Sequence, residues 1–304
     1  MYLKYYLEQL DYENMPLELA KYLNTPSLQR LKKIGYFCGM DYASKNIYNF
    51  KEIITRYDHS LTVALMVYKL TKDRNMAIAG LYHDIATPCF SHVIDYMNKD
   101  YAKQEATEEL TEKVIRSDSK LIGLLQKDGI NPNEIIDFKR YPVVDNERPK
   151  VCADRLDGVI LTGIGWTKNI TKCDINSIVT DMHVSTNEFG EPEIDFLRKP
   201  VVEKIIQVSE SIDKLCHSNE DNYMMELLAT ITRYAIDRGI IYYEDLFKLN
   251  EEDLFSILLQ TGDPVIEDLM RTFRTIEKEN IPQISLPNVK VRSIKPLLNG
   301  KRVA

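Results

Sequence analysis

The chain has little of what builds disulfide-bonded or zinc-ribbon domains. It has five cysteines in 304 residues, at Cys38, Cys89, Cys152, Cys173 and Cys216, with no Cys-x-x-Cys pair. An odd, scattered set reads as reduced thiols. Cys152, two residues before an aspartate, reads as apolar filler. No run of about eighteen apolar residues is present, so no membrane span is expected. The opening Met1-Tyr-Leu-Lys-Tyr-Tyr-Leu-Glu8 lacks the charged-then-apolar order of a signal peptide, and a cytoplasmic protein is the expectation. Positive charge is not in excess: the net charge is -7. That argues against broad nucleic-acid binding, which needs a basic face. The basic cluster at Arg30-Leu-Lys32-Lys33 reads as a solvated face before a phosphate site, and that from Lys290 to Arg302 as a solvated edge before a binding strip. Repeats and low-complexity segments are absent, and no shift in composition divides the chain. A single domain over 1–304 is expected, with 45–165 as its functional core and 200–304 as a helical C-terminal extension.

Histidine is also scarce, at five residues, and two of the five stand beside acids in an ordered pattern. Arg56-Tyr-Asp-His59 is followed by Tyr82-His83-Asp84 and then by Cys152-Ala-Asp154-Arg-Leu-Asp157. A His, a His-Asp pair and a later Asp can close around one divalent ion. Imidazole with carboxylate suits Zn, Mn, Fe or Ni better than the all-oxygen cages of Ca. Such a set leaves an open position for water and a substrate oxygen, which a hydrolase needs.

The periodicity is mostly helical. Thr25 before Pro26 opens one helix. His59 to Leu70 carries a buried stripe, and Asn75 to Asp84 is small and apolar, so both are expected to be central. The spacing predicts further helices over Phe90–Met97 and Gln104–Ile115, and one opening at Asp154. Val201 to Asn280 is helical again. Strand signals occur at Ile178–Ser185 and Pro192–Phe196 around a turn ending in Gly190, and again near Asn299-Gly300. The expected class is all-α, a helical bundle with a small β-hairpin and a short C-terminal β element.

These motifs resemble those of the HD-domain metal-dependent phosphohydrolases, most closely the branch with the deoxynucleoside triphosphate triphosphohydrolases. Asn24-Thr-Pro-Ser-Leu-Gln-Arg-Leu-Lys-Lys-Ile34 is similar to that branch's opening helix. Thr55-Arg-Tyr-Asp-His-Ser-Leu61, His83-Asp-Ile-Ala-Thr-Pro-Cys-Phe-Ser-His92 and Val151-Cys-Ala-Asp-Arg-Leu-Asp157 are similar to its ligand segments. Weaker similarity runs through Gly262-Asp-Pro264 and Lys290 to Pro296. The resemblance implies a helical HD domain holding one divalent ion (Mn, Fe, Ni, Zn or Mg) through His59, His83, Asp84 and Asp154. It also implies dimers or tetramers of the chain. Three departures concern the phosphates. Thr87 stands where a second His is expected, Lys103-Gln104-Glu105 where a His-Glu pair is expected, and Thr162 where a cationic residue is expected.

Roles follow from the chemistry of the side chains. His92 is the candidate acid/base or charge-stabilising group, with Glu105 the alternative. Asp157 would orient Arg155 or support a ligand. Arg56, one turn before His59, would clamp phosphate or pair with an acid. Lys103 and Arg155 are further phosphate candidates. The expected activity is hydrolysis of a nucleotide or other small phosphate ester. The departures favour a smaller ester over a triphosphate. The alternative is a metal-bearing nucleotide sensor with little turnover.

Overall fold

A reciprocal cap fixes the start of the central helix. In this computed structural model, which describes residues 1–102 and 110–303, Thr55 Oγ1 accepts the Asp58 amide and the Asp58 carboxylate accepts the Thr55 amide at 2.8 Å. The cap pins the first turn of Arg56–Thr71, and Arg56 and His59 fall in that turn. From His59 to Val67 every residue of this helix is buried, as expected of an element packed on all sides. Arg74–Tyr82 runs beside it. A Cβ on Gly80 would lie 3.3 Å from Val63 Cγ1, so the glycine permits the close approach. This helix ends at Tyr82, leaving His83 and Asp84 in the turns that follow. Ala153–Gly165 packs against Arg56–Thr71 and brings Asp154 and Asp157 to the same place.

Sixteen α-helices, six short 3-10 helices and one small sheet account for the regular structure of the described residues, a mainly helical fold of the expected class. None of these helices is long and apolar enough to cross a membrane. The C-terminal part carries Lys199–Cys216, Asn219–Asp237, Glu251–Leu259 and Pro264–Thr275. Beyond the last short helical turn at Lys278–Asn280, residues 281–296 form neither helix nor strand.

The boundaries differ from expectation in three places, each for a local reason. The helix expected from Phe90 begins at Val93, because Phe90 and Ser91 take left-handed φ values of 63° and 46°. The strand expected from Ile178 begins at His183. Thr171 and Asp174 cap a helix over Lys172–Asp181, which buries Ile175, Ile178 and Val179 on one face. The helix expected over Gln104–Ile115 is described only from Thr111 to Ser117; Lys103 and Glu105 lie outside the described residues.

The hairpin and the C-terminal element join in one four-stranded sheet. His183–Thr186 pairs antiparallel with Pro192–Phe196, and the latter pairs parallel with Leu297–Leu298. The chain then turns at Asn299-Gly300 into Lys301–Arg302. Glu193, fully buried, locks this sheet to the Val151–Asp154 segment. Its carboxylate accepts the Val151 amide at 2.9 Å, the Asn187 side-chain amide at 2.9 Å, and Arg302 Nη1 and Nη2 at 2.9 and 2.7 Å. Removing one partner leaves part of a buried charge unpaired. Arg302→Met is therefore expected to lower unfolding stability by about 1–3 kcal/mol. Denaturant titration checks this, and an unchanged midpoint would show that the terminal strand does not anchor the Val151–Asp154 segment.

Candidate metal centre and substrate cavity

Two histidines are held so that one nitrogen of each faces a common point. His83 Nδ1 donates to the Gly80 carbonyl at 2.7 Å. A carbonyl only accepts, so Nε2 of the neutral ring carries the lone pair. That Nε2 is buried and has no hydrogen-bond partner; Asp154 Oδ1 stands 3.5 Å away, too far for a good bond. His59 Nδ1 donates to Asp157 Oδ2 at 2.7 Å, which leaves its Nε2 3.1 Å from Asp154 Oδ1. Ligand atoms of His59, His83 and Asp154 all lie within 4.8 Å of one another. An orphaned, buried imidazole nitrogen beside a carboxylate fits a cation, and the mixed donor set suits a transition-metal ion.

Charge compensation gives the same result. Burial alone would make His59 less basic, but its bonds to Asp154 and Asp157 outweigh burial and push its pKa up to about 10. Burial likewise opposes protonation of His83, and the Asp84 and Asp154 carboxylates push it up regardless. Asp154 is held well below the usual carboxylate range by His59 and His83, against its own burial. The cluster therefore holds either extra protons or a metal ion.

Asp84 borders this cluster. Its Oδ2 takes Arg56 Nη1 at 2.8 Å and lies 3.8 Å from His59 Nε2, while Oδ1 lies 3.9 Å from His83 Nε2. Arg56 is thus paired with the acid, and its Nε also donates to Ser91 Oγ at 3.2 Å. Asp157 is fully buried, with Oδ1 taken by the Tyr6 hydroxyl at 2.7 Å and Oδ2 by His59. It acts through His59 and does not touch Arg155. Arg155 instead binds the Lys150 carbonyl at 3.0 Å, Asn146, and Asp145 at 3.4 Å, holding the 145–150 loop. A second possible cluster, Asp145 with Cys152 and Asp154, shares the last ligand. It is the poorer site, because burial pushes the Cys152 thiol up to about 12 and Asp145 faces the Arg155 guanidinium.

Beside the cluster lies a cavity of about 760 Å³, lined by Arg56, His59, Asp84, His92, Asp154 and Arg155 among others. Four further cations line it that sequence reasoning did not assign to a phosphate site: Lys139, Arg148, Lys290 and Arg292. The 281–296 segment, read as a solvated edge, contributes two of them. Arg148 Nη1 donates to the Arg292 carbonyl at 2.8 Å, and the Lys290 amide donates to the Tyr101 carbonyl at 2.9 Å. Burial, with neighbouring cations, pushes Arg148 down to about 10 and Lys290 down to about 8. Buried cations with other cations beside them favour an anion between them. Thr162 also lines the cavity, whereas Thr87 is wholly buried.

His92 faces the same cavity, and its Nδ1 bonds Asp95 Oδ2 at 2.9 Å. Burial pushes it down to about 4, helped by Arg292 and Arg56 and opposed by Asp95, so the ring is neutral at neutral pH. Glu251, far along the chain, positions the surrounding loops. Its Oε2 accepts the Gly35 amide and its Oε1 the Phe90 amide, both at 3.0 Å. Gly35 leads into Tyr36, whose ring centre is 5.2 Å from that of His59; Phe90 leads through Ser91 to His92. A Cβ on Gly35 would fall 2.9 Å from Glu251 Oε2, so this contact needs glycine.

Because His59 is protonated below about 10 in the ion-free protein, a metal must displace that proton. Binding at pH 7 is expected to release about one proton per ion, and apparent affinity to rise up to about tenfold per pH unit. Titration calorimetry in buffers of different ionisation enthalpy reads this directly. His83→Ala is expected to abolish binding and Asp157→Asn to weaken it about 10–100-fold. His183→Ala, on the sheet, is expected to change nothing. Equal ion content in all three would remove the assignment.

Comparison with known proteins agrees with this geometry. The HD domain family model matches residues 56–141. The metal-dependent phosphohydrolase cns2 of Cordyceps militaris is 22% identical over 297 residues, covering 96% of this chain and 82% of that protein. The uncharacterized protein YdhJ of Bacillus subtilis is 29% identical over 251 residues, covering 82% of this chain and 73% of its own. The HD match spans His59, His83 and Asp84, and the fold brings Asp154 to the same point, so the chain carries an HD domain over residues 56–141 and is similar along most of its length to a metal-dependent phosphohydrolase.

Proposed function

We propose that this phosphohydrolase acts on a nucleotide, holding the phosphates between the metal cluster and the wall formed by Arg148, Lys290 and Arg292. The observation that carries the reading is that both sets line one cavity of about 760 Å³. His59, His83 and Asp154 would hold a divalent ion, with Asp84 beside it. Such an ion supplies a Lewis acid for a phosphoryl oxygen and a source of hydroxide near neutral pH.

The chain's own groups do the rest. Asp157 keeps His59 Nδ1 protonated and its Nε2 aimed at the cluster. Arg56 neutralises part of Asp84 and, through Ser91, ties that acid to the His92 turn. Neutral His92, with Nδ1–H donated to Asp95, presents Nε2 as a proton acceptor. It would take a proton from the attacking water and return it to the leaving oxygen. Arg155, fully engaged by the 145–150 loop, shapes the wall more than it grips substrate.

The weak phosphate grip expected from Thr87, Thr162 and Lys103-Gln104-Glu105 rested on motif positions alone. Arg148, Lys290 and Arg292 bring charge from elsewhere in the chain, enough for more than one phosphoryl group. Nucleoside di- and triphosphates are therefore expected to be better substrates than monophosphates. Lys290→Gln with Arg292→Gln is expected to cost about tenfold or more for each charge-assisted bond lost, mostly on the longer phosphates. Catalytic efficiency over a panel with Mn added checks this; release from monophosphates alone would contradict it. His92→Ala is expected to lower turnover about 10²–10⁴-fold with the ion retained. Undiminished turnover would remove His92 from the chemistry.

A further inference from the structure

One helix presents a stripe of residues to the cavity beside the metal cluster. Asp154, Gly158, Thr162 and Trp166 fall four apart along Ala153–Gly165 and the residue after it, so they share a face, and all four line the cavity. Asp154 belongs to the cluster. One turn further on, Gly158 leaves that face without a side chain. A Cβ there would meet the Tyr36 hydroxyl oxygen at 3.2 Å and, outside its own helix, nothing else within 4 Å. Tyr36 also lines the cavity, and the gap left by Gly158 is where its hydroxyl enters.

Tyr36 is fixed everywhere except at that hydroxyl. Its amide donates to the Ile54 carbonyl at 2.9 Å. Its ring centre lies 5.2 Å from that of His59 and 5.0 Å from the Arg56 guanidinium carbon. None of the described residues hydrogen-bonds the hydroxyl. Buried tyrosines elsewhere have protein partners: Tyr6 donates to Asp157 at 2.7 Å, Tyr22 to Asp128 at 2.8 Å and Tyr48 to Asp221 at 2.6 Å, and Tyr82 bonds Thr25 at 2.7 Å. Burial pushes the Tyr36 phenol up, against the Arg56 guanidinium and together with Asp157, Asp154 and Asp84, so it stays a neutral donor. A fixed donor that faces a cavity and bonds nothing in the chain is preorganised for a group that enters from outside.

We propose that Tyr36 is a phosphate-binding residue, its hydroxyl donating to an anionic phosphoryl oxygen beside the metal cluster, and that Gly158 is the position that admits it. The proposal rests on the reading of this cavity as a phosphate site. Asp84 and Asp154 line the same space, and a phosphate drawn in by Arg148, Lys290 and Arg292 meets their repulsion. An oxygen turned toward these acids needs a donor. A cation in the place of the phenol would be captured by them, as Arg56 is by Asp84. A neutral hydroxyl escapes that pairing and stays available. A charged acceptor makes the stronger bond with it, which favours a phosphoryl oxygen over a sugar hydroxyl.

The test measures binding of orthophosphate to the ion-loaded protein by titration calorimetry, so it does not depend on hydrolysis. Tyr36→Phe keeps the ring on His59 and Arg56 and removes only the hydroxyl. It is expected to weaken orthophosphate binding about 10–100-fold with ion content unchanged. Gly158→Ala presses a methyl group on the hydroxyl and is expected to weaken orthophosphate by itself, yet to add little to Tyr36→Phe, where the hydroxyl is gone. That non-additivity separates a bond made by the hydroxyl from a general loosening of the cavity. Equal affinities in the wild type and Tyr36→Phe overturn the proposal, as does a loss that tracks a loss of ion, or full additivity of the two substitutions. Weaker adenosine binding by Tyr36→Phe with orthophosphate unchanged would give the hydroxyl to the sugar or base, and also overturns it. Should Tyr36→Phe fail to fold, Gly158→Ala decides, and an unaltered orthophosphate affinity there counts against the proposal. A wild type that binds no orthophosphate removes the phosphate reading of the cavity and this inference with it. Hydroxyl-dependent binding without turnover would leave this inference standing and remove the hydrolytic reading.

Discussion

Uncompensated negative charge in a buried place governs this structure. Asp84, Asp154 and Asp157 converge on two buried imidazoles, and few protein cations reach them. Arg56 balances Asp84 alone. Asp157 commits its oxygens to Tyr6 and His59, and Gly80 fixes the His83 ring. Every partner in this arrangement orients a lone pair or a carboxylate toward one point. A cluster of that kind is expensive to bury without a cation, and a divalent ion satisfies all of it at once. The helices around it serve that geometry: the Thr55 cap sets the turn of His59, and Gly80 lets two helices approach.

The second constraint is long-range. The groups that would meet substrate come from distant stretches of chain. Glu251 ties the Gly35 and Phe90 amides together from 216 and 161 residues further along the chain, and thereby sets both Tyr36 and the left-handed turn before His92. Two non-glycine residues in left-handed conformations just before a candidate proton carrier are local strain that the surrounding contacts sustain. The 281–296 segment, though without helix or strand, is held by the Lys290 amide on Tyr101 and the Ile294 amide on Ser209 Oγ. Its cations are thus fixed over the cavity.

Local pattern explains what was legible in the sequence. His59, His83 and Asp154 stand in short motifs on or beside strongly periodic helices, so their convergence could be read from residue type and order. The mainly helical class followed from the same periodicity. What escaped depends on tertiary contact. Ile178 sits in a run that suits strand or helix, and the Thr171 cap decides for helix. Lys290 and Arg292 have the composition of a solvated edge; only the fold returns them to the cavity. Glu251 and Asp221 look like ordinary first-turn acids, and nothing in their neighbours marks one as a clamp between loops and the other as a buried acceptor. The ion pair of Arg56 with Asp84 was one of two readings of that arginine, and distance alone separates them.

Where the ion sits is the point on which the rest turns, since two clusters share Asp154. X-ray absorption at the metal edge of the Zn- or Mn-loaded protein distinguishes them. A shell of nitrogen and oxygen at about 2.0–2.2 Å, with the multiple-scattering signature of two imidazoles, is the predicted result. A sulfur scatterer at about 2.3 Å with no imidazole signature would place the ion on Cys152 and Asp145 and contradict the His59–His83–Asp154 centre.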